Sequence, residues 1–297
     1  MNSANAYLQL LRLPNVVTAV ADVLAGYLFV GGMLSGPGAG VGVIHLAILS
    51  AASACLYSAG VVLNDFFDFE QDARQRPQRP LPSGQIRRRT AGWLGLALLI
   101  AGVGATQFLP GVTRLIGLML GGCILLYDGV LKRTPAGPVC MGVCRALNLS
   151  LGMSAAGDPV GVSALYAAGI VGLYVTSLTG FARHEATGGH RTGLLVAGGG
   201  MLVALAAIAG LYWLDERTSW YVFVVAGLLV SELVSPIRDA VSHPEPSIVQ
   251  AVVKRSILLL VFIDAGLVLA VGDLGSALLV AALWVPSRLL ARAIRVT

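Results

Sequence analysis

Residues 64–89, from Asn64 to Arg89, read NDFFDFEQDARQRPQRPLPSGQIRRR, a charged interval with apolar runs on both sides long enough to cross a membrane. Backbone amides cannot stay unpaired in lipid, so runs of this length predict helices, and the interval connects two of them. Asp65, Asp68 and Asp72 recur at i, i+3 and i+7, which lines the carboxylates up on one face if the preceding helix runs on into the interval. Acids so placed repel one another unless cations lie between them. Hard oxygen ligands, with the Asn64 amide alongside, suit magnesium rather than zinc. Arg74, Arg76 and Arg79 follow at once, and guanidinium groups suit bidentate recognition of phosphate. Acids plus arginines point together to a diphosphate bound through metal. A loop that only obeyed membrane topology would need the basic residues and have no use for regularly spaced acids.

Composition extends this to the whole chain. Hydrophobic residues make up 56% of the 297 and charged residues only 12%, with mean hydropathy +0.81, which excludes an ordinary soluble domain and predicts a polytopic membrane protein. The net charge of +5 does not imply nucleic acid, because the basic residues lie in short loops with no aromatic-interleaved surface. Their natural partners are lipid headgroups and phosphates. Cys55, Cys123, Cys140 and Cys144 fall inside apolar segments without paired metal-ligand spacing and read as small packing residues. The N-terminus has no basic region followed by a short apolar core and cleavage site, so the first span is expected to remain in the mature protein.

Spans of about 20 residues are expected near 14–34, 44–66, 90–109, 113–131, 138–156, 162–182, 192–213, 219–236, 250–272 and 275–293. The expected fold is an all-α bundle of ten spans, or nine with one re-entrant, and no long linker divides residues 1–297 into domains. In the ten-span arrangement nearly all loop lysines and arginines fall on the side of the acidic interval, from Arg12 to Arg295, and only Arg114 and Arg217 fall opposite. The positive-inside rule then places the acidic interval and both termini in the cytoplasm.

Other polar features share that side. The fourth span ends in Tyr127-Asp128-Gly129-Val130-Leu131-Lys132-Arg133, and Lys132 and Arg133 read equally as phosphate contacts and as membrane anchors. Arg145, with Asn148 one turn later, falls inside the fifth span, where a charge is expensive unless it faces a cavity or a partner. Asp22, Glu232 and Asp264 raise the same question nearer span ends. The sixth span runs into FARHEATGGHR, where Glu185 is the sole carboxylate; His184 and His190 lack the spacing of a zinc site.

NDFFDFEQD, RPQRPLPSG and YDGVLKRTP together resemble the UbiA-type family of intramembrane prenyltransferases, and VLNDFFDFEQDARQRPQRPLPSG, LLYDGVLKRTP, CRALNLSLGMSAA and GFARHEA make the chain look closest to its EboC-like branch. The resemblance implies helices around a central cavity, with two aspartate-rich motifs holding magnesium and the diphosphate of a prenyl donor. It further implies transfer of the prenyl group to a lipophilic acceptor. On that reading Asn64, Asp65, Asp68, Asp72 and Glu185 hold metal. Arg76, Arg79, Lys132, Arg133 and Arg183 stabilise the leaving diphosphate, Arg145 and Asn148 contact substrate, and the Tyr127 ring faces the cationic carbon. The chain departs from the family in its second motif, where FARHEATGGH offers Glu185 in place of two or three aspartates. A prenyl-diphosphate carrier without transfer activity is therefore the alternative, whereas the longer aspartate and glycine pattern of a CDP-alcohol phosphotransferase is absent around Asp128-Gly129.

Overall fold

The computed structural model describes residues 3–36, 39–109, 111–185, 190–272 and 274–293. Every regular element among them is helical: α1 (Ser3–Leu10), α2 (Leu13–Phe29), α3 (Ala39–Phe67), α4 (Phe69–Gln75), α5 (Arg88–Gln107), α6 (Val112–Gly129) and α7 (Gly137–Met153) form the first half. The second half comprises α8 (Val162–Ala182), α9 (Arg191–Ala207), α10 (Leu211–Leu214), α11 (Val222–Ser242), α12 (Pro246–Val271), α13 (Leu274–Ala282) and α14 (Trp284–Ala293).

One apolar cluster runs from Val23 to Val280 and joins the long helices. Large apolar side chains such as Ile100, Leu115, Val196 and Leu228 point outward and are more than half exposed, as expected of surfaces facing acyl chains. Trp213 and Trp220 flank the Asp215–Arg217 turn on the side away from residues 64–89, where an aromatic belt belongs. Arg217 donates two side-chain hydrogen bonds to Asp215, at 2.9 and 2.6 Å, and these hold the Asp215 carboxyl below the usual carboxylate range.

Among the described residues six helical stretches are long and apolar enough to cross a membrane: Ala39–Phe67, Arg88–Gln107, Val112–Gly129, Val162–Ala182, Arg191–Leu214 and Leu274–Ala293. The expected nine or ten spans are thus not all distinguished by length and composition. Helix α2 is apolar but only 17 residues long, α7 is equally short and carries Arg145, and α11 and α12 carry Glu232, Arg238, Asp239, Lys254 and Arg255. The last expected span is broken at Leu283 between α13 and α14, and α14 folds against α2, where the Ser287 hydroxyl donates to the carbonyl of Pro14 at 2.9 Å.

Helices α2 and α7 approach most closely at glycine. A Cβ on Gly152 would collide with the Val23 carbonyl oxygen, and one on Gly26 with that of Leu149. Such small-residue crossings let backbones meet where lipid supplies no hydrophobic drive for association, and here they bring Asp22 of α2 against Arg145 and Asn148 of α7.

Candidate active site

A cavity of about 620 Å³ opens at the end of the bundle that carries residues 64–89. Its mouth is lined by Arg12, Asn64, Asp68, Asp72, Arg76, Arg79, Lys132 and Arg183, its walls by Tyr127, Asp128, Arg145 and Asn148, and its depth by apolar residues including Leu56, Leu120, Ile124, Val175 and Leu260.

The acidic interval does not continue as one straight helix. Helix α3 ends at Phe67 and α4 restarts at Phe69, with Asp68 between them at φ −86°, ψ 4°. Helical hydrogen bonding still bridges the break, from the Asp68 amide to the Asn64 carbonyl at 3.0 Å and from the Asp72 amide to the Asp68 carbonyl at 2.8 Å. The expected shared face therefore survives in part. Asp68 and Asp72 line the cavity, whereas Asp65 turns toward Arg12, 2.9 Å away, and Arg79, 3.6 Å away, outside the lining.

Asp65, Asp68 and Asp72 each have a basic partner. Arg79 Nη1 lies 2.7 Å from Asp72 Oδ2, Lys132 Nζ bonds both Asn64 Oδ1 and Asp68 Oδ2, and Arg133 reaches Asp68 at 3.4 Å from a side chain that is 70% exposed. Arg133 belongs to the outer rim beside Glu70 and Arg74, not to the main cavity. Arg183 lines the cavity and donates to the carbonyls of Lys132, at 2.9 Å, and Thr134, at 2.5 Å, clamping the turn that carries Lys132.

Glu185 lies apart from this constellation. Its carboxylate accepts a hydrogen bond from Gln250 at 3.0 Å and is not among the cavity-lining groups. Residues 186–189, the remainder of the altered second motif, lie outside the described residues. Arg145 has both properties expected of a charge inside a span: it lines the cavity and pairs with Asp22 at 2.6 Å. Asn148 donates to Asp22 and to the Ala19 carbonyl, both at 2.8 Å, and accepts from Ser53 at 2.7 Å.

Sequence reasoning missed Arg12 as a site residue, having counted it only for topology. It precedes α2 in the left-handed region at φ 47°, and it is alone among the described non-glycine residues in having positive φ. Nothing in its local sequence announces a partner 53 residues away.

Hard oxygen donors predominate among the potential metal ligands of the mouth. Asn64, Asp68 and Asp72 all line one space, with Lys132 and Arg79 on their oxygens, and oxygen donors of this kind fit magnesium, an ion that takes one or two carboxylates and keeps waters and phosphate oxygens for the rest. Among the described residues no group of three or more histidine, cysteine or acidic side chains is placed to hold a metal ion by itself.

The family model of the UbiA prenyltransferases matches residues 24–240. The chain belongs to that family. Digeranylgeranylglyceryl phosphate synthase of Methanopyrus kandleri is 36% identical over 130 residues, covering 44% of this chain and 45% of the relative. The synthase of Methanococcoides burtonii is 33% identical over 131 residues, 43% of this chain and 47% of the relative. These matches span under half the length of the curated relatives. Among solved structures, an apo UbiA homolog from Aeropyrum pernix superposes with TM-score 0.67 at 16% identity, over 86% of this chain and 97% of the other. A UbiA homolog from Archaeoglobus fulgidus bound to GPP and Mg2+ does so with TM-score 0.54 at 15% identity, over 93% and 99%. The helical bundle thus has the UbiA fold.

Proposed function

We propose that the protein is a magnesium-dependent intramembrane prenyltransferase that moves the prenyl group of an isoprenoid diphosphate to a lipophilic acceptor. The observation that carries this reading is one cavity with an acid-and-base mouth and an apolar depth, in a chain of the UbiA prenyltransferase family. A diphosphate needs a polar mouth and its prenyl tail an apolar interior, and water kept from that interior cannot quench a cationic carbon.

Electrostatics support the metal. Asp65, Asp68 and Asp72 are already matched by Arg12, Arg79, Lys132 and Arg133, so an incoming diphosphate requires further positive charge. A bound magnesium would supply that charge as a Lewis acid for the leaving diphosphate. Asn64, Asp68 and Asp72 would hold it, with Asp65 fixing the arginines behind them. Arg76, Arg79, Lys132 and Arg183 would orient the diphosphate and stabilise charge growing on it, and Arg133 would add to the field from the rim. Tyr127 would present its ring near the reacting carbon, with Arg145 and Asn148 contacting substrate deeper down. A metal role for Glu185 requires its carboxylate to leave Gln250.

The EboC-like branch draws no support from the similar curated proteins, whose name describes a prenylated glyceryl phosphate; the proposed acceptor is therefore lipophilic without further detail. Purified protein incubated with labelled geranyl diphosphate and a membrane-lipid extract is expected to give labelled lipid and free diphosphate with magnesium, and neither with EDTA. Magnesium-independent product would refute the metal reading, and binding without product from any donor would favour the carrier.

We further propose one domain over residues 1–297, nine spans from α2 to α12 plus the broken α13–α14 pair as a tenth, and a cytoplasmic cavity mouth and N-terminus. The lysine and arginine asymmetry supports this orientation. Cysteines replacing the exposed Gln85 and Glu216 should react with an impermeant maleimide from the cytoplasm and from the opposite side, respectively, and labelling of both from one side would sink the orientation.

A further inference from the structure

We propose that Asp128 is the general base that takes the acceptor's proton during prenyl transfer, an inference that rests on the transferase reading above.

Its place in the cavity carries the argument. Leu120, Ile124, Asp128 and Lys132 recur every four residues, and all of them line the cavity. Helix α6 ends at Gly129 and Lys132 follows in the short turn after it; on the helix Ile124 and Leu120 lie one and two turns from Asp128, about 6 and 12 Å further into the bundle at 1.5 Å per residue. Lys132 stands at the acids where the diphosphate would bind, and Ile124 and Leu120 stand where only an apolar tail fits. Asp128 lies between them at the cavity wall, where the carbon joining tail to diphosphate would come.

Its surroundings set it apart from the other acids. Asp65, Asp68 and Asp72 each have an ion-pair partner, whereas Asp128 is only 8% exposed and its Oδ2 meets no hydrogen-bond donor among the described residues. A buried carboxylate oxygen without a donor is costly, and a proton taken from the acceptor would relieve that cost. Among the described residues Asp128 forms no ion pair with Lys132, whose amine is occupied by Asn64 and Asp68.

The step balances without a further reagent. The bond between the donor carbon and the bridging oxygen breaks, and its electron pair leaves on the diphosphate. A nucleophilic atom of the acceptor bonds to that carbon, and the proton it sheds passes to Asp128 and from there to water at the mouth. General-base catalysis of this kind contributes about 10²–10⁴-fold.

The test compares wild type, Asp128→Asn and Asp128→Glu in detergent, with labelled geranyl diphosphate as donor probe and a membrane-lipid extract as acceptor source. Donor binding and lipid labelling are measured separately. Asp128→Asn is expected to bind geranyl diphosphate as well as wild type or more tightly, because one negative charge near the anion is gone, while labelling falls about 10²-fold or more. Asp128→Glu should recover part of it. Wild-type labelling by Asp128→Asn would overturn the proposal, and weakened donor binding by that variant would overturn it in favour of a donor-holding role. Absence of labelled lipid from wild type with prenyl donors of every length would overturn the transferase reading itself, and the base with it.

Discussion

Asp68→Ala is expected to abolish magnesium-dependent binding of a prenyl diphosphate and to lower turnover by about 10²–10³-fold, the cost of removing one preorganised electrostatic group from a reacting centre. Asp68 sits at the break between α3 and α4, lines the cavity, and shares Lys132 with Asn64. Without it the mouth loses one of its two cavity-facing acids in the interval, and the freed Lys132 binds any phosphate it meets without regard to metal. Residual donor binding should therefore become insensitive to EDTA, which separates loss of a metal ligand from general damage. The fold should hold, because Lys132 keeps Asn64 and the helical hydrogen bonds across Asp68 come from the backbone. Isothermal titration with geranyl diphosphate, with and without magnesium, checks this; unchanged magnesium-dependent affinity would remove Asp68 from the metal site.

Arg145→Ala should produce the largest loss of stability, about 3–5 kcal/mol, the usual cost of deleting one member of a buried ion pair. Arg145 lies 2.6 Å from Asp22, which is fully buried, and its Nη2 donates to the Thr18 carbonyl at 2.8 Å. Asp264 of α12 is also fully buried beside this pair, and neither of its oxygens meets a hydrogen-bond donor. Removing the guanidinium leaves two carboxyl groups facing each other in an apolar interior with only the Asn148 amide to serve Asp22. An Asp22→Leu, Arg145→Met double variant should recover most of the loss, since replacing both members with apolar groups avoids an uncompensated charge. Thermal unfolding in detergent measures both. A single variant as stable as wild type would show that the pair carries no net stabilisation.

The same residues mark what each level of description decides. Apolar runs of membrane length and the acids at 65, 68 and 72 with arginines after them were legible in the sequence, because helix length in lipid, carboxylate repulsion and phosphate recognition are local properties. The chain by itself thus determined an all-helical membrane protein with a polar mouth next to residue 64. What it left open depends on contacts between distant segments. Only the packed bundle turns Asp65 to Arg12, joins Arg145 to Asp22 beside Asp264, and sends Glu185 to Gln250 and not into the cavity. Only the bundle sets Asp128 on the wall between the polar mouth and the apolar depth of the cavity. Helical spacing fixes which residues share a face, but which face meets a partner follows from the crossing of helices such as α2 and α7, where Gly26 and Gly152 allow the backbones to touch.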